Sequence, residues 1–278
     1  MDRQKLCAYV SGLNMPAFEW PLALKRAGFD GFFIGYENRG TTLRYAEIAA
    51  QESLMLQSVH APYTHVDAVW KNGEKGEAYI KHILECVDAT ADAGATIVVM
   101  HVWIGFDKSD MPNRLGLQRL ERVVERAEKR GVRIAFENTE GDAFLSAVMT
   151  HFKPSPAVGF CWDTGHELCY NRGIDQTALY GDRLIMTHIN DNLGISDVGG
   201  HIFWTDDLHL MPFDGITDWQ SVAERLRRCN FSGPLTFELT RKSKPGRHDN
   251  DKYETMSAEE YLAELYTRAC RLSEMLLK

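Results

Sequence analysis

The feature that most constrains the fold is an alternation of short apolar segments and amphipathic segments along the whole chain. Residues 96–100 form a continuous apolar, β-branched run typical of a strand buried on both faces. Glycines such as Gly94 and Gly131 stand where helical patterns stop. The eight predicted strands are residues 6–10, 31–34, 54–59, 96–100, 132–136, 157–162, 184–187 and 235–237.

Each predicted strand is followed by a segment with helical spacing of its apolar residues. The predicted helices are residues 18–27, 42–51, 76–93, 115–130, 144–152, 174–180, 219–229 and 258–277. Eight such units without an evident linker predict an α/β protein, a single (β/α)8 TIM barrel over residues 1–278. A doubly wound α/β sheet is the alternative, disfavoured because no glycine-rich phosphate fingerprint follows the first strand. The polar segments 190–217 and 241–255 exceed usual connection lengths and are interpreted as lids or interface segments.

Composition excludes few classes of protein. A hydrophobic content of 44% and a charged content of 25% are ordinary for a globular chain. The net charge of −8 argues against general affinity for nucleic acid or anionic membranes, although a local basic groove stays open. Six scattered cysteines without a C-x-x-C pair, and an N-terminus unlike a secretory signal, predict reduced thiols in a cytoplasmic protein. No apolar run reaches the ~18 residues of a membrane span.

Ionisable side chains stand at the ends of six successive predicted strands. Because the carboxyl ends of barrel strands converge on one mouth, these side chains are expected to meet. Imidazoles and carboxylates are ligands for divalent Zn, Mn and Co, and carboxylates crowded together without a cation would repel one another. The sequence therefore predicts a divalent metal site. The strand-end residues are His60, His101, Glu137, Asp163, His188 and Glu238, and nearby loops add His166, Asp207 and His209.

Each member also has a purely structural interpretation. His60 and His101 could be hydrogen-bonded histidines without a metal, and Glu137 or Glu238 could pair with Arg241. His209 could lie on the surface. Asp163 could cap a helix, but beside the other strand ends it is interpreted as a metal ligand instead.

Six stretches resemble the xylose-isomerase-like TIM-barrel superfamily, which includes sugar isomerases, sugar epimerases and AP endonucleases of the endonuclease IV type. The resemblance covers the chain from the third strand to the eighth. The stretches are Ser-Val-His-Ala-Pro-Tyr at 58–63, Ile-Ala-Phe-Glu-Asn-Thr at 134–139, Trp-Asp-Thr-Gly-His at 162–166, Thr-His-Ile-Asn-Asp-Asn at 187–192, Asp-Leu-His at 207–209 and Phe-Glu at 237–238.

The resemblance implies two metal arrangements, which the ligand pattern does not separate. In tagatose- and psicose-epimerase-like enzymes one Mn or Co ion would be held by the positions matching Glu137, Asp163, His188 and Glu238. In the endonuclease branch a trinuclear zinc cluster would use three ligand groups. These are His60, His101 and Glu137; then Asp163, His188 and Glu238 with Glu137 shared; then His166, Asp207 and His209.

The loops expected at the mouth favour a small carbohydrate over DNA. Segment 194–214 contains aspartates but no Lys or Arg, whereas a DNA-binding loop concentrates basic residues. Only segment 241–252 is basic, and it is interpreted as a contact for a substrate acid or for a neighbouring subunit of a homo-oligomer. Aromatic residues in these loops suit stacking against a sugar or packing within the lids. They are Trp70, Trp103, Phe106, Phe203 and Trp204.

The expected function is a divalent-metal-dependent isomerase or epimerase of carbohydrate metabolism that acts on a keto-sugar or sugar phosphate. Proton transfer would pass through a metal-stabilised enediolate, with Glu137 and Glu238 as the acid/base pair. His60, His101 and His166 would bind the substrate. Three alternatives stay open: a sugar lyase using the same metal site, a trinuclear-zinc AP endonuclease acting on abasic DNA, and a non-catalytic barrel that binds sugar or metal.

Overall fold

A computed structural model of the chain describes residues 4–105 and 110–277. Eight strands alternate with helices through these residues, as the periodicity predicts. The strands are β1 (Leu6–Ser11), β2 (Gly31–Gly35), β3 (Met55–His60), β4 (Ile97–Met100), β5 (Arg133–Glu137), β6 (Val158–Asp163), β7 (Leu184–His188) and β8 (Leu235–Thr240).

The helices lie between and after these strands. Helix α4 shows how local sequence sets their bounds, because Asn113 caps its first turn and Gly131 ends it in the left-handed conformation at φ 69°. The helices are α1 (Trp20–Ala27), α2 (Arg39–Glu52), α3 (Glu74–Asp92), α4 (Arg114–Arg130), α5 (Asp142–His151), α6 (Thr164–Cys169), α7 (Gln176–Tyr180), α8 (Trp219–Arg228), α9 (Asp251–Glu254) and α10 (Ala258–Leu276).

The strands form one parallel sheet that closes into a nearly complete barrel. Their order is β7-β6-β5-β4-β3-β2-β1-β8. The first strand pairs with the last over its full length, from Leu6 opposite Leu235 to Ser11 opposite Thr240. The two ends of the order approach each other where Ile189, directly after β7, pairs in parallel with Phe237 of β8. The predicted (β/α)8 TIM barrel is confirmed.

The chain divides into two compact units, neither of which is a continuous segment. Unit 1 comprises Met1–Phe32, Ile48–Met55 and Trp162–Lys278, and unit 2 comprises Phe33–Glu47 and Leu56–Cys161. The core of unit 2 includes the fully buried Val98, Phe136 and Ile80. The single domain over residues 1–278 stays a prediction.

Three elements differ from the sequence prediction. Strand β8 continues past Glu238 to Thr240, because Leu239 and Thr240 keep pairing with β1. Helix α6 begins directly at Thr164 and was not among the predicted helices. Helix α9 lies inside the polar segment 241–255, which was interpreted as a lid or an interface segment.

Two further observations concern the cysteines and the helices. Among the described residues no disulfide joins the six cysteines, four of which are buried. None of the helices in the described ranges is both long enough and apolar enough to span a bilayer.

Candidate metal centre

Unit 2 gathers three of the expected ligands around one carboxylate oxygen. His60 is the last residue of β3, Glu137 is the last residue of β5, and His101 directly follows β4. The Oε2 atom of Glu137 lies 3.3 Å from His60 Nε2 and 3.2 Å from His101 Nε2. Glu137 is fully buried, so its charge is stabilised by these neighbours rather than by bulk water.

The hydrogen bonds of His60 set its tautomer. Its Nδ1 lies 2.8 Å from the carbonyl oxygen of Ala61, which can only accept, so Nδ1 carries a proton. A neutral imidazole would then turn the Nε2 lone pair toward Glu137, so a proton or a cation is needed between Nε2 and the carboxylate for the contact to be favourable. A ring nitrogen held this way by a backbone carbonyl is typical of histidines that bind a metal through the other nitrogen.

Asp163, the last residue of β6, combines two roles. Its Oδ1 accepts a 2.7 Å hydrogen bond from the backbone N–H of His166 and so caps helix α6. Its Oδ2 accepts from Asn190 Nδ2 at 2.9 Å. The sequence interpretation that Asp163 does not cap a helix was wrong. One of its carboxylate oxygens caps helix α6, and the other remains available to the candidate site.

Gly165 lies so close to Asn190 that a side chain at position 165 would collide with it. A Cβ at position 165 would lie 1.9 Å from Asn190 Oδ1, which is far inside van der Waals contact. The Thr164 hydroxyl also donates to the carbonyl of Asn190 at 2.6 Å. The segment after β6 is thereby locked to the segment after β7.

His188 and Glu238 meet in unit 1. His188 is the buried last residue of β7, and its Nδ1 lies 3.0 Å from Glu238 Oε2. The side chain of Glu238 is 19% exposed, which leaves the carboxylate reachable from solvent. Because Asp163 belongs to the same unit, unit 1 contains two carboxylates and one imidazole of the predicted strand-end ligands.

A second cluster in unit 1 consists of His166, Asp207 and His209. One ligand atom from each lies within 4.8 Å of the others. The carboxylate of Asp207 is 3.5 Å from His166 Nε2 and 3.0 Å from His209 Nε2. His209 Nδ1 donates to the carbonyl of Glu238 at 3.0 Å, which again directs Nε2 to the cluster. His209 thus belongs to this cluster and is not a plain surface residue.

The charges in this second cluster are strongly coupled. Burial alone would raise the pKa of Asp207, but His209 and His166 outweigh it and hold the pKa of that carboxyl well below its usual range. Burial would likewise lower the pKa of His209, whereas Asp207 raises it to about 9. The same negative charge on Asp207 would also favour a bound cation at this cluster.

A clamp behind the site holds the segment from Trp162 to Glu167. Arg225 of α8 donates to both oxygens of Glu167 at 2.7 Å. Its guanidinium also lies 4.2 Å from the centre of the Trp162 ring, and Trp162 Nε1 donates to Glu167 at 3.0 Å. Because Asp163 and His166 lie between the two clamped residues, Arg225 restrains both ends of the ligand-bearing segment.

The basic segment 241–252 is occupied by internal partners. Arg241 donates to the backbone carbonyls of Tyr253 and Met256 and not to either glutamate. Arg247 pairs with Asp206 at 2.7 Å, and Lys244 lies 3.4 Å from Asp207. The predicted alternative that Arg241 neutralises Glu137 or Glu238 has no support in the hydrogen bonds of Arg241.

The aromatic residues separate into packed and exposed ones. Trp70 and Trp103 are buried against Phe144, with ring centres 5.0 and 4.3 Å away, so they pack within the protein. Phe203 and Trp204 are about half exposed and stay available for a ligand. Phe106 lies outside the described residues.

These donor sets fit a divalent cation of the Zn, Mn or Co type. The ligand atoms are imidazole nitrogens and carboxylate oxygens, and the imidazoles of His60 and His209 are oriented by backbone carbonyls. The sequence interpretation missed the residues that orient the ligands. Asn190 was visible two positions after His188, but the partners Glu167 and Arg225 lie 58 residues apart and carry no local signal.

Known proteins share this fold and, more weakly, this sequence. The model of a family described as xylose isomerase-like TIM barrel matches residues 21–264. An uncharacterized protein, y4fM, of Sinorhizobium fredii is 33% identical over 201 residues, which cover 68% of this chain and 58% of that protein. A probable endonuclease 4 of Mycobacterium ulcerans is 27% identical over 147 residues, covering 48% of this chain and 56% of that protein. The matches thus span under two thirds of these relatives' lengths.

A solved structure extends the likeness to nearly the full chain. The D-allulose 3-epimerase from Methylomonas sp., determined in complex with D-allulose, superimposes with a TM-score of 0.69 at 14% identity. The superposition covers 97% of this chain and 96% of that protein. At this identity the likeness establishes the fold.

Proposed function

Because the chain belongs to the xylose isomerase-like TIM-barrel family, we propose that it is a divalent-metal-dependent isomerase or epimerase of a keto-sugar or sugar phosphate. The observation that carries the proposal is the set of carboxylates and imidazoles at the carboxyl ends of the strands, which is where barrel enzymes build their active sites. Solved epimerases with this fold support the reaction class.

The proposed metal ligands are Glu137, Asp163, His188 and Glu238. They stand on β5, β6, β7 and β8, and these four strands are neighbours once the barrel closes. Asn190 holds Asp163 in its orientation, and Glu238 orients His188. When bound, the divalent ion would act as a Lewis acid that polarises the substrate carbonyl and acidifies the adjacent C–H.

Glu137 and Glu238 are the proposed proton-transfer pair. One carboxylate would remove the proton from the carbon next to the carbonyl. In an epimerase the other would return a proton to the opposite face of the same carbon, which inverts that centre. In an isomerase the proton would instead return to the former carbonyl carbon, while the hydroxyl proton of the neighbouring carbon passes to the former carbonyl oxygen. His60 and His101 lie beside Glu137, and we propose that they contact substrate hydroxyls. His166, which lies near the carboxylates of Asp163 and Asp207, is proposed as a further substrate contact.

Solvent-deuterium incorporation tests this assignment. With the protein loaded with Mn²⁺ or Co²⁺ and a panel of keto-sugars and their phosphates, Glu137→Gln and Glu238→Gln should each reduce carbon-bound deuterium at least about 100-fold. Glu121→Gln is the matched control, because Glu121 pairs with His151 on the helical surface. Exchange at the wild-type rate in either glutamine variant would refute the acid/base roles.

A second candidate is a trinuclear-zinc AP endonuclease, favoured specifically by the His166, Asp207 and His209 cluster and by the pair of histidines on Glu137. Weak similarity to probable endonuclease 4 supports it. Three zinc ions per chain together with nicking of abasic duplex DNA would establish this candidate. One metal per chain without nicking would exclude it.

The same deuterium experiment separates two further candidates. A lyase would give deuterium exchange accompanied by loss of a leaving group from the adjacent carbon. A non-catalytic barrel would bind metal and sugar without exchange.

We also propose a cytoplasmic setting, since the cysteines form no disulfide in the described structure.

A further inference from the structure

The segment between β8 and α10 places the ammonium group of Lys244 beside the second cluster, while Arg241, Arg247 and Lys252 have partners of their own. Arg247 pairs with Asp206 and Asp249, at 2.7 and 2.8 Å. Lys252 pairs with Asp214 at 3.0 Å. Arg241 is committed to backbone carbonyls. Lys244 differs, because its carboxylate partner, Asp207, is itself a member of the second cluster.

The position of Lys244 is held by the protein around it. The neighbouring pair between Arg247 and the fully buried Asp206 anchors the segment to the loop that carries Asp207. Asn250 Nδ2 adds hydrogen bonds to the carbonyls of Leu208 and Thr240, at 3.1 and 2.8 Å. A charged group fixed before a ligand arrives loses little entropy on binding, which favours recognition.

The charges around Asp207 indicate which ligand group Lys244 would contact once the second cluster holds a cation. The carboxylate of Asp207 is shared among Lys244, His166 and His209. If the cluster binds a cation, Asp207 becomes its ligand and its charge no longer serves Lys244. The Lys244 side chain is 23% exposed, and its ammonium would then lie beside a metal without a carboxylate of its own to neutralise it. An anionic ligand group is the chemistry that relieves this excess of positive charge.

The surroundings of Lys244 suit a sugar that carries the anion. The Trp204 ring lies 5.7 Å from Lys244 Nζ, and Trp204 is 52% exposed. Phe203 beside it is 48% exposed. Aromatic faces pack against the C–H faces of sugar rings while a neighbouring cation selects the charged end.

We propose that Lys244 and the adjacent Trp204 ring form a subsite that binds an anion. The substrate would then be a negatively charged sugar, either a phosphate ester or a sugar carboxylate. This inference rests on the proposed function and deepens it by assigning the substrate class. Lys244 acts in specificity and takes no part in proton transfer.

Calorimetric titration of the Mn²⁺-loaded protein tests the subsite. The probes are keto-pentoses and keto-hexoses, their terminal phosphates, and the corresponding sugar acids. The wild type should bind one anionic series at least about tenfold more tightly than the neutral sugars, a difference of about 1.4 kcal/mol. The preferred series identifies phosphate or carboxylate as the recognised group.

Variants separate recognition from structure. Lys244→Met should bring the affinities for anionic and neutral sugars to within about twofold, with unchanged metal content and unchanged affinity for the neutral sugar. Lys244→Arg should retain part of the preference. Lys252→Met is the matched control and should keep the full preference, because Lys252 pairs with Asp214 at the surface.

Two results would overturn the proposed anion subsite and leave the proposed function intact. These are equal binding of neutral and anionic sugars by the wild type, and equal weakening of both series in Lys244→Met. Absence of binding for every sugar in the panel would instead contradict the proposed function, and the subsite with it.

Discussion

Asn190 ties the ends of two strands together, although it was not among the residues expected at the site. Its amide donates to Asp163, and its carbonyl accepts from Thr164. With Asp163 Oδ1 already used by the helix cap, Asn190 determines where the remaining oxygen points. Mutating a residue that hydrogen-bonds a metal ligand typically weakens metal binding by roughly 10–100-fold.

Replacing Asn190 by Ala should weaken metal binding by roughly 10–100-fold, because Asp163 loses the donor that orients it. Competition with a coloured chelator measures the affinity. Asn230→Ala, on an exposed residue after α8, is the control. Wild-type affinity in Asn190→Ala would show that the cap alone holds Asp163.

Gly165→Ala tests the contact from the other side. The new Cβ would fall 1.9 Å from Asn190 Oδ1, so the asparagine must move and the metal affinity should fall by at least about tenfold. In the double variant with Asn190→Ala the clash disappears, and the two losses should be clearly less than additive. Additive losses would contradict a direct steric coupling.

At the scale of elements, sequence periodicity predicts the strands to within one to three residues at either end. The runs are apolar and β-branched, and the strands are buried on both faces, as in β4. Helix α6 was not among the predicted helices, because its six residues are too few to show a helical periodicity. The missing side chain of Gly165 is needed for its contact with Asn190. For Trp70 and Trp103 the sequence left internal packing and ligand stacking both open, since the two roles require the same residue type.

The clamp between α6 and α8 predicts a stability effect. Arg225→Met leaves the nearly buried Glu167 without its guanidinium, so unfolding should become easier by about 3–5 kcal/mol. Urea denaturation measures it. Arg228→Met on the same helix is the control and should cost less than about 1 kcal/mol, because Arg228 is 56% exposed. Adding Glu167→Gln to Arg225→Met should recover part of the loss, and no recovery would argue against an uncompensated charge.

Helix α7 predicts a pH effect through its cap. Burial raises the pKa of Asp175, but hydrogen bonds from Thr177, Arg228 and the backbone N–H of Ala178 outweigh it and lower that pKa to about 2. A depressed pKa stabilises the fold above the unfolded value near 4 and loses this contribution as pH falls toward 2.

Asp175→Asn keeps the cap and removes the charge. In metal-free protein it should cost about 1 kcal/mol at pH 7, a figure reduced for the partial exposure of this side chain. The cost should shrink steadily below pH 4, when unfolding is followed by denaturant at several pH values. A cost that does not change with pH would mean that the charge of Asp175 contributes nothing.

For the whole molecule, the sequence predicted the barrel, but it did not predict the residues that hold the candidate ligands in position. The ligands follow strands, and strands have a local pattern. Their supports join distant residues, as in the pair of Glu167 with Arg225 and the pair of Asp207 with Lys244, so only the folded chain reveals them.

Metal removal should destabilise the whole barrel, because the proposed ligands come from four different strands. Chelation should lower Tm, and Mn²⁺, Co²⁺ or Zn²⁺ should restore it, with stabilisation of about 2.7 kcal/mol at a free metal concentration of 100 Kd. Calorimetry with and without chelator measures the change. His188→Ala should melt at one temperature with or without metal, and a metal-dependent shift in that variant would contradict the ligand assignment.

The pairing of β1 with β8 has a consequence for synthesis. Leu6 pairs with Leu235, which is translated 229 residues later (235 minus 6). At ~5–20 residues per second, the edge of β1 waits on the order of tens of seconds for the strand that covers it. Throughout that interval the nascent chain carries an open sheet edge that can pair with other chains. Productive folding in the cell should therefore depend on chaperones that shield this edge until the last strand emerges.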